Sequence, residues 1–139
     1  MKVLLDANIL LDVLEKRIPH FSDSYQIFMK AASKEIEAII GAGSITDIYY
    51  VLKRNCKDAQ QALELIINMI QIVTPVDTKS IDIQEATEMG FSDFEDAVVT
   101  ATAIRENVDY LITRNAADFS ASPIPVMQPS DFLAMFSND

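Results

Sequence analysis

Acidic side chains stand in this chain where apolar runs break. Val3-Leu4-Leu5 stops at Asp6, an amide follows at Asn8, and a second apolar run begins at Ile9. That is the form of a buried strand handing over to a helix. It puts Asp6 at the strand's carboxyl end, the edge where open α/β sheets bind ligands. A carboxylate there is also an ordinary helix cap. Asp47 follows Ser44 at the spacing of a capping box and on its own reads as structural. Ser92-Asp93-Phe94-Glu95-Asp96-Ala97 puts three acids at one helix start, of which dipole compensation accounts for one or two. Asp93 and Asp96, three apart, share a face and repel unless a cation intervenes, whereas Glu95 is expected to point into solvent. Another apolar run, Tyr110-Leu111-Ile112, ends at Thr113-Arg114-Asn115 with Asp118 close behind. A hydrogen-bonded turn is the plain reading of that group. The repetition argues for more: two strand ends and two helix starts deliver oxygens to what would be one edge of a parallel sheet.

Such a set suits one kind of chemistry. Carboxylates and amides without thiolates make a hard-oxygen site for Mg²⁺ or Mn²⁺. Cys56 is the only cysteine and His20, in an early loop, the only histidine. A cysteine-based zinc site and an internal disulfide framework are therefore excluded. The expected nucleophile is metal-activated water at a phosphodiester, with Asp96 or Asp47 helping as base. Arg114, beside Thr113, is the expected phosphate contact.

The elements that must position these groups follow from periodicity and capping signals. A helix is expected from Ile9 to about Leu14, and a second capped by Ser22 or Asp23 with Tyr25, Phe28, Met29 and Ala32 at helical spacing. Glu37 to Ile40 reads as strand two and Gly41-Ala42-Gly43 as a turn. Ser44 is expected to cap a helix to about Arg54, and Asp58 another with Leu63, Ile66, Ile67 and Ile70 inward. Gln71 to Thr74 reads as a third strand closed by Pro75. Asp77 or Thr78 opens a helix that fades at Met89-Gly90, and a further helix spans about Asp93 to Glu106. Tyr110 to Thr113 and Val126 to Gln128 complete the strands, and Pro129 starts a last helix. Short apolar strands separated by helices predict a three-layer α/β/α fold on a short central parallel sheet, one domain over residues 1–139.

Asp6-x-Asn8 after an apolar strand, an acid early in the third helix, Asp93-x-x-Asp96-Ala97 and Leu111-Ile112-Thr113-Arg114-Asn115-x-x-Asp118-Phe119 together resemble the PIN domain. The likeness runs nearly the whole length of the chain, and is nearest to the VapC-like toxins of toxin–antitoxin pairs. It implies an endoribonuclease dependent on Mg²⁺ or Mn²⁺, with acids from four segments in one pocket. Asp6 and Asp96 would be the principal metal ligands, and Asp47 would stand where the family more often has glutamate. Asn115 and Asp118 fall at the family's last acidic position, and Asp93 matches an extra aspartate of some branches. Asn8 and Thr113 would orient the carboxylates. Asp47 is one methylene shorter than glutamate and Asn115 replaces a common aspartate, so tight holding of a second ion is in question. A PIN-like scaffold with weakened ligands could instead serve as a binding or regulatory module.

The formal charge of −10 over 139 residues runs against a broad nucleic-acid footprint, which is normally basic; a local metal site is the reading that reconciles the two. No apolar run approaches the roughly 20 residues of a membrane span, and the N-terminal run is too short and too acidic for a signal peptide. A cytoplasmic protein is expected. A phosphatase of the Asp-x-Asp type is disfavoured because its third residue is Asn8. A receiver domain would need a late lysine, and Lys79 is the last in the chain. Expected partners are RNA as substrate, a small antitoxin whose arginine would suit the acid pocket, and a second copy in a homodimer through the apolar helix faces.

Overall fold

Three consecutive buried side chains, Val3, Leu4 and Leu5, are satisfied only by a strand covered on both faces. That strand, β1 (Lys2–Leu5), is the centre of the sheet in a computed structural model that describes residues 1–137. Its neighbours are β2 (Glu37–Gly41) and β4 (Tyr110–Ile112), and the edges are β3 (Thr74–Val76) and β5 (Val126–Met127). The order is β3-β2-β1-β4-β5 and every pairing is parallel.

Helices close both faces. α1 (Ala7–Leu14), α2 (Phe21–Ala32), α3 (Ala42–Cys56), α4 (Ala59–Met69) and α7 (Pro129–Ala134) surround a core of Val3, Leu5, Ile40, Ile48, Ile66 and Phe132. On the other face, α6 (Phe94–Arg105) covers Leu4, Ile39 and Leu111 through Ala103, and α5 (Ser80–Ala86) packs on α6. The small side chains Ala97, Ala101 and Ala103 are buried and let α6 fit between sheet and α5. This is the expected three-layer α/β/α arrangement. No helix among the described residues is long and apolar enough to cross a membrane.

Several local expectations are corrected. β2 runs straight into α3, because extended Gly41 (φ −64°, ψ 134°) is itself the N-cap. There is no Gly-Ala-Gly turn, Ser44 caps nothing, and Asp47 lies in the second turn of the helix. α2 starts after His20 with no side-chain cap, so neither Ser22 nor Asp23 fills that role. The third strand lies later than expected and contains Pro75, tolerated because β3 is an edge. α5 opens at Ser80, where Asp82 reaches back to the Lys79 N–H at 2.9 Å. On α2 the buried positions are Ser24, Ile27 and Ala31, leaving Tyr25 and Met29 exposed; on α4 Ala62, Ile66 and Met69 are buried, leaving Leu63, Ile67 and Ile70 exposed.

Asp82 illustrates a purely structural acid. It is buried between α5 and α6, and accepts from Arg105 Nε at 2.9 Å and Thr102 Oγ1 at 3.3 Å. Burial opposes its charge, but the bonds from Arg105, the Lys79 N–H and Thr102 outweigh that and hold its carboxyl below the usual range.

Candidate metal centre

Strand register places Asp6 and Thr113 side by side. Leu5 pairs with Ile112 across β1 and β4, and the Asp6 N–H donates to Ile112 O at 3.0 Å. The next residue of each strand therefore emerges at the same edge. The chain leaves β1 for β2 on one side and returns to β4 on the other, so this edge is the topological switch of the sheet. Asp6 Oδ1 caps α1 by accepting the Ala7 N–H at 2.8 Å. Its Oδ2 accepts from Thr113 Oγ1 at 2.8 Å and from Asn8 Nδ2 at 3.4 Å. Thr113 Oγ1 in turn accepts from Asn8 Nδ2 at 3.2 Å and from the Asn115 N–H at 3.1 Å. Asp6 is thus both a cap and an edge carboxylate, with one oxygen for each task.

The start of α6 faces it. Asp93 is the N-cap, its Oδ1 accepting the N–H groups of Glu95 at 2.9 Å and Asp96 at 3.3 Å. Asp96, half-buried, has its carboxyl pushed up from 3.8 to about 6 by burial and then by the charges of Asp93, Asp6, Asp118 and Glu95. Asp6 is raised as well: burial outweighs the lowering effects of Thr113, the Ala7 N–H and Arg114. Asp118, on the 3₁₀ turn Ala116–Phe119, is therefore within electrostatic reach of Asp96. Asn115 precedes that turn with its side chain exposed.

Among the described residues no hydrogen bond joins Asp47 to Asp6 or Asp96. The partner of Asp47 is Glu95, whose carboxyl is raised by burial and then by the charge and hydrogen bond of Asp47, with Asp93 and Asp6 adding to it. The two acids line one cavity of about 240 Å³ with Ser44, Thr78 and Thr102. Glu95 is exposed, as expected, and it shares this cavity with Asp47 across α3 and α6. Arg114 is anchored by a buried acid. Its Nε donates to Asp12 Oδ2 at 2.7 Å, so one edge of the guanidinium is committed to the protein. Asp12 went unnoticed in the sequence, although it is the one acid within α1, and it is fully buried.

The set matches a hard cation in chemistry and in charge. Its donors are oxygens, and the carboxyls of Asp6 and Asp96 are raised by burial first and then by neighbouring acids. Among the described residues no three Asp, Glu, His or Cys side chains close into a cage. The residues present fit an ion that keeps several of its own waters, as Mg²⁺ does.

A pH dependence of stability follows. A carboxyl raised on folding contributes stability that is complete below its free value of 3.8 and is lost as pH rises through about 6. Asp82, lowered on folding, acts in the opposite sense and only below 3.8. Between these limits the site acids dominate. Thermal unfolding in EDTA should therefore give a lower melting temperature at about pH 7.5 than at about pH 5, and Asp96→Asn should shrink that difference.

The fold is that of a PIN domain. The sequence profile of the PIN domain matches residues 2–117, and the chain belongs to that family. It is similar to ribonuclease VapC1 of Aquifex aeolicus, with 25% identity over 136 residues, 94% of this chain and 92% of that protein. Among solved structures it superposes on VapBC2 of Rickettsia felis bound to a promoter DNA fragment, with a TM-score of 0.74 at 18% identity over 92% of this chain and 98% of that one. It also superposes on VapC20 of Mycobacterium tuberculosis, a toxin that cleaves the sarcin–ricin loop, with a TM-score of 0.65 at 11% identity over 85% and 95% of the two chains. At those identities the structures speak for the fold.

Proposed function

We propose that this chain is a Mg²⁺- or Mn²⁺-dependent endoribonuclease, the toxin of a toxin–antitoxin pair. The observation that carries the reading is the pair Asp6 and Asp96, raised carboxyls from two elements at the switch point of a parallel sheet. The similarity to a ribonuclease over nearly the full length of both chains supports the substrate class. Asp6 and Asp96 would hold the cation, with Asp93, Asp118, Asn115 and Asp47 around it. When bound, such an ion activates water and neutralises charge that builds on the phosphodiester.

The chain's own residues have distinct tasks. Thr113 and Asn8 fix Asp6 Oδ2, so its orientation is set before anything binds. Asp93 holds the first turn of α6 and with it the position of Asp96. Glu95, on the first turn of α6, has its carboxyl raised by burial and then by Asp47 and adds to the negative charge beside the pocket. The acid pocket would accept an arginine from an antitoxin, and the exposed Leu63, Ile67 and Ile70 on α4 are a surface for that partner or for a second copy.

Purified protein should cleave single-stranded RNA with Mg²⁺ or Mn²⁺ and lose all cleavage in EDTA. RNA that stays intact under every divalent ion, with no ion bound in calorimetry, would give the case to a catalytically weak binding module.

A further inference from the structure

Beside the acid cluster lies a cavity of about 490 Å³ whose lining has a different character. Arg114, His20, Gln128, Ser130 and Asn115 line it, with Asp23 as its one acid. In a chain of formal charge −10, a concavity dominated by donors is a local reversal of sign. Arg114 is fixed there at some cost. Its Nε is held at 2.7 Å by Asp12, which is fully buried and also accepts from Ser24 Oγ at 3.2 Å. Among the described residues Asp12 Oδ1 has no hydrogen-bond partner. A buried carboxylate with an unsatisfied oxygen destabilises a fold relative to an apolar side chain. What it secures is the direction of one guanidinium. Among the described residues the terminal nitrogens of Arg114 make no hydrogen bond, leaving their donors for a ligand.

We infer that this cavity seats a backbone phosphate of the RNA strand next to the scissile linkage, with Arg114 as its main contact and Asp12 as the residue that positions Arg114. The inference rests on the nuclease reading and deepens it, since Asn115 and Arg114 belong at once to this cavity and to the turn that follows Thr113. Guanidinium is the side chain best matched to phosphate oxygens. Gln128, Ser130 and His20 supply further donors to the same lining. The neighbouring acid cluster repels a phosphate, so a strand entering that cluster needs a cationic hold close by, and Arg114 is the cation present in this lining.

The test is RNA binding in EDTA, where nothing is cleaved. A fluorescein-labelled oligouridylate is titrated against wild type, against Gln128→Glu/Ser130→Asp, and against Asp12→Asn/Arg114→Gln. The first variant places acids at the start of a helix, where they suit the dipole and leave folding intact. The second keeps net charge constant and leaves no orphaned ion, so an affinity change is local. Each is expected to raise Kd about tenfold, and each should flatten the salt dependence by the share of about one phosphate. An unchanged Kd in the Gln128→Glu/Ser130→Asp protein overturns the proposal, including the case in which an acidic segment of a protein partner occupies the cavity instead. Wild type that binds RNA, loses it in both variants and yet never cleaves with Mg²⁺ would sustain the phosphate seat and refute the nuclease reading alone.

Discussion

Asp6→Asn should lower RNA cleavage by about 10²–10³-fold or more, the scale on which removal of one preorganised electrostatic group acts. The same change should leave the melting temperature in EDTA no lower than that of wild type. Both expectations come from one fact: burial raises the Asp6 carboxyl, so its charge is a cost to the apo fold at neutral pH. An amide removes that cost and still caps α1 through the Ala7 N–H. What the amide cannot do is share a cation with Asp96. Single-turnover cleavage and thermal unfolding, measured on the same preparation, separate the two effects. Wild-type cleavage would remove Asp6 from the site, and a joint collapse of activity and melting temperature would make its role structural.

Thr113→Val is expected to weaken Mn²⁺ binding by about 10–100-fold, the usual consequence of losing a group that orients a ligand. Thr113 is buried and nearly isosteric with valine, so packing is kept. Its hydroxyl, however, is the hub of three contacts: it donates to Asp6 Oδ2 and accepts from Asn8 and from the Asn115 N–H. Without it the Asp6 carboxyl loses a bond that lowers its pKa, and the cleavage profile should move to higher pH as well. Thr113→Ser keeps the hydroxyl and should restore both readouts, which calorimetric titration and a pH–rate series would record. Equal Mn²⁺ affinity in the valine protein would show that the hydroxyl does not orient Asp6.

What could be read from the sequence was whatever depends on chain direction and short spacing. The apolar runs marked β1 and β4, and the residues that end them met across the sheet because parallel register aligns strand ends. Asp6, Asn8 and Thr113 came together for that reason. What escaped was whatever depends on which helix faces which. Spacing along α6 sends Glu95 away from Asp93 and Asp96, but it says nothing of Asp47 arriving from α3. Arg114 and Asp12 are 102 residues apart and meet only because α1 follows β1 and Arg114 follows β4. On α4, Leu63 and Ile67 are as apolar as Ile66, and the side on which the sheet lies decided which of them was covered.

Both edges of the sheet are blunted by proline. β3 carries Pro75 within it, and the two-residue β5 lies between Pro125 and Pro129. Proline offers no N–H to a strand laid alongside, and two residues are too few to template one. A regulator of this chain is thus denied the simplest route of attachment, extension of the sheet by its own backbone. It must instead read side chains on the helices or reach into the acid pocket, and its specificity will be written in those surfaces.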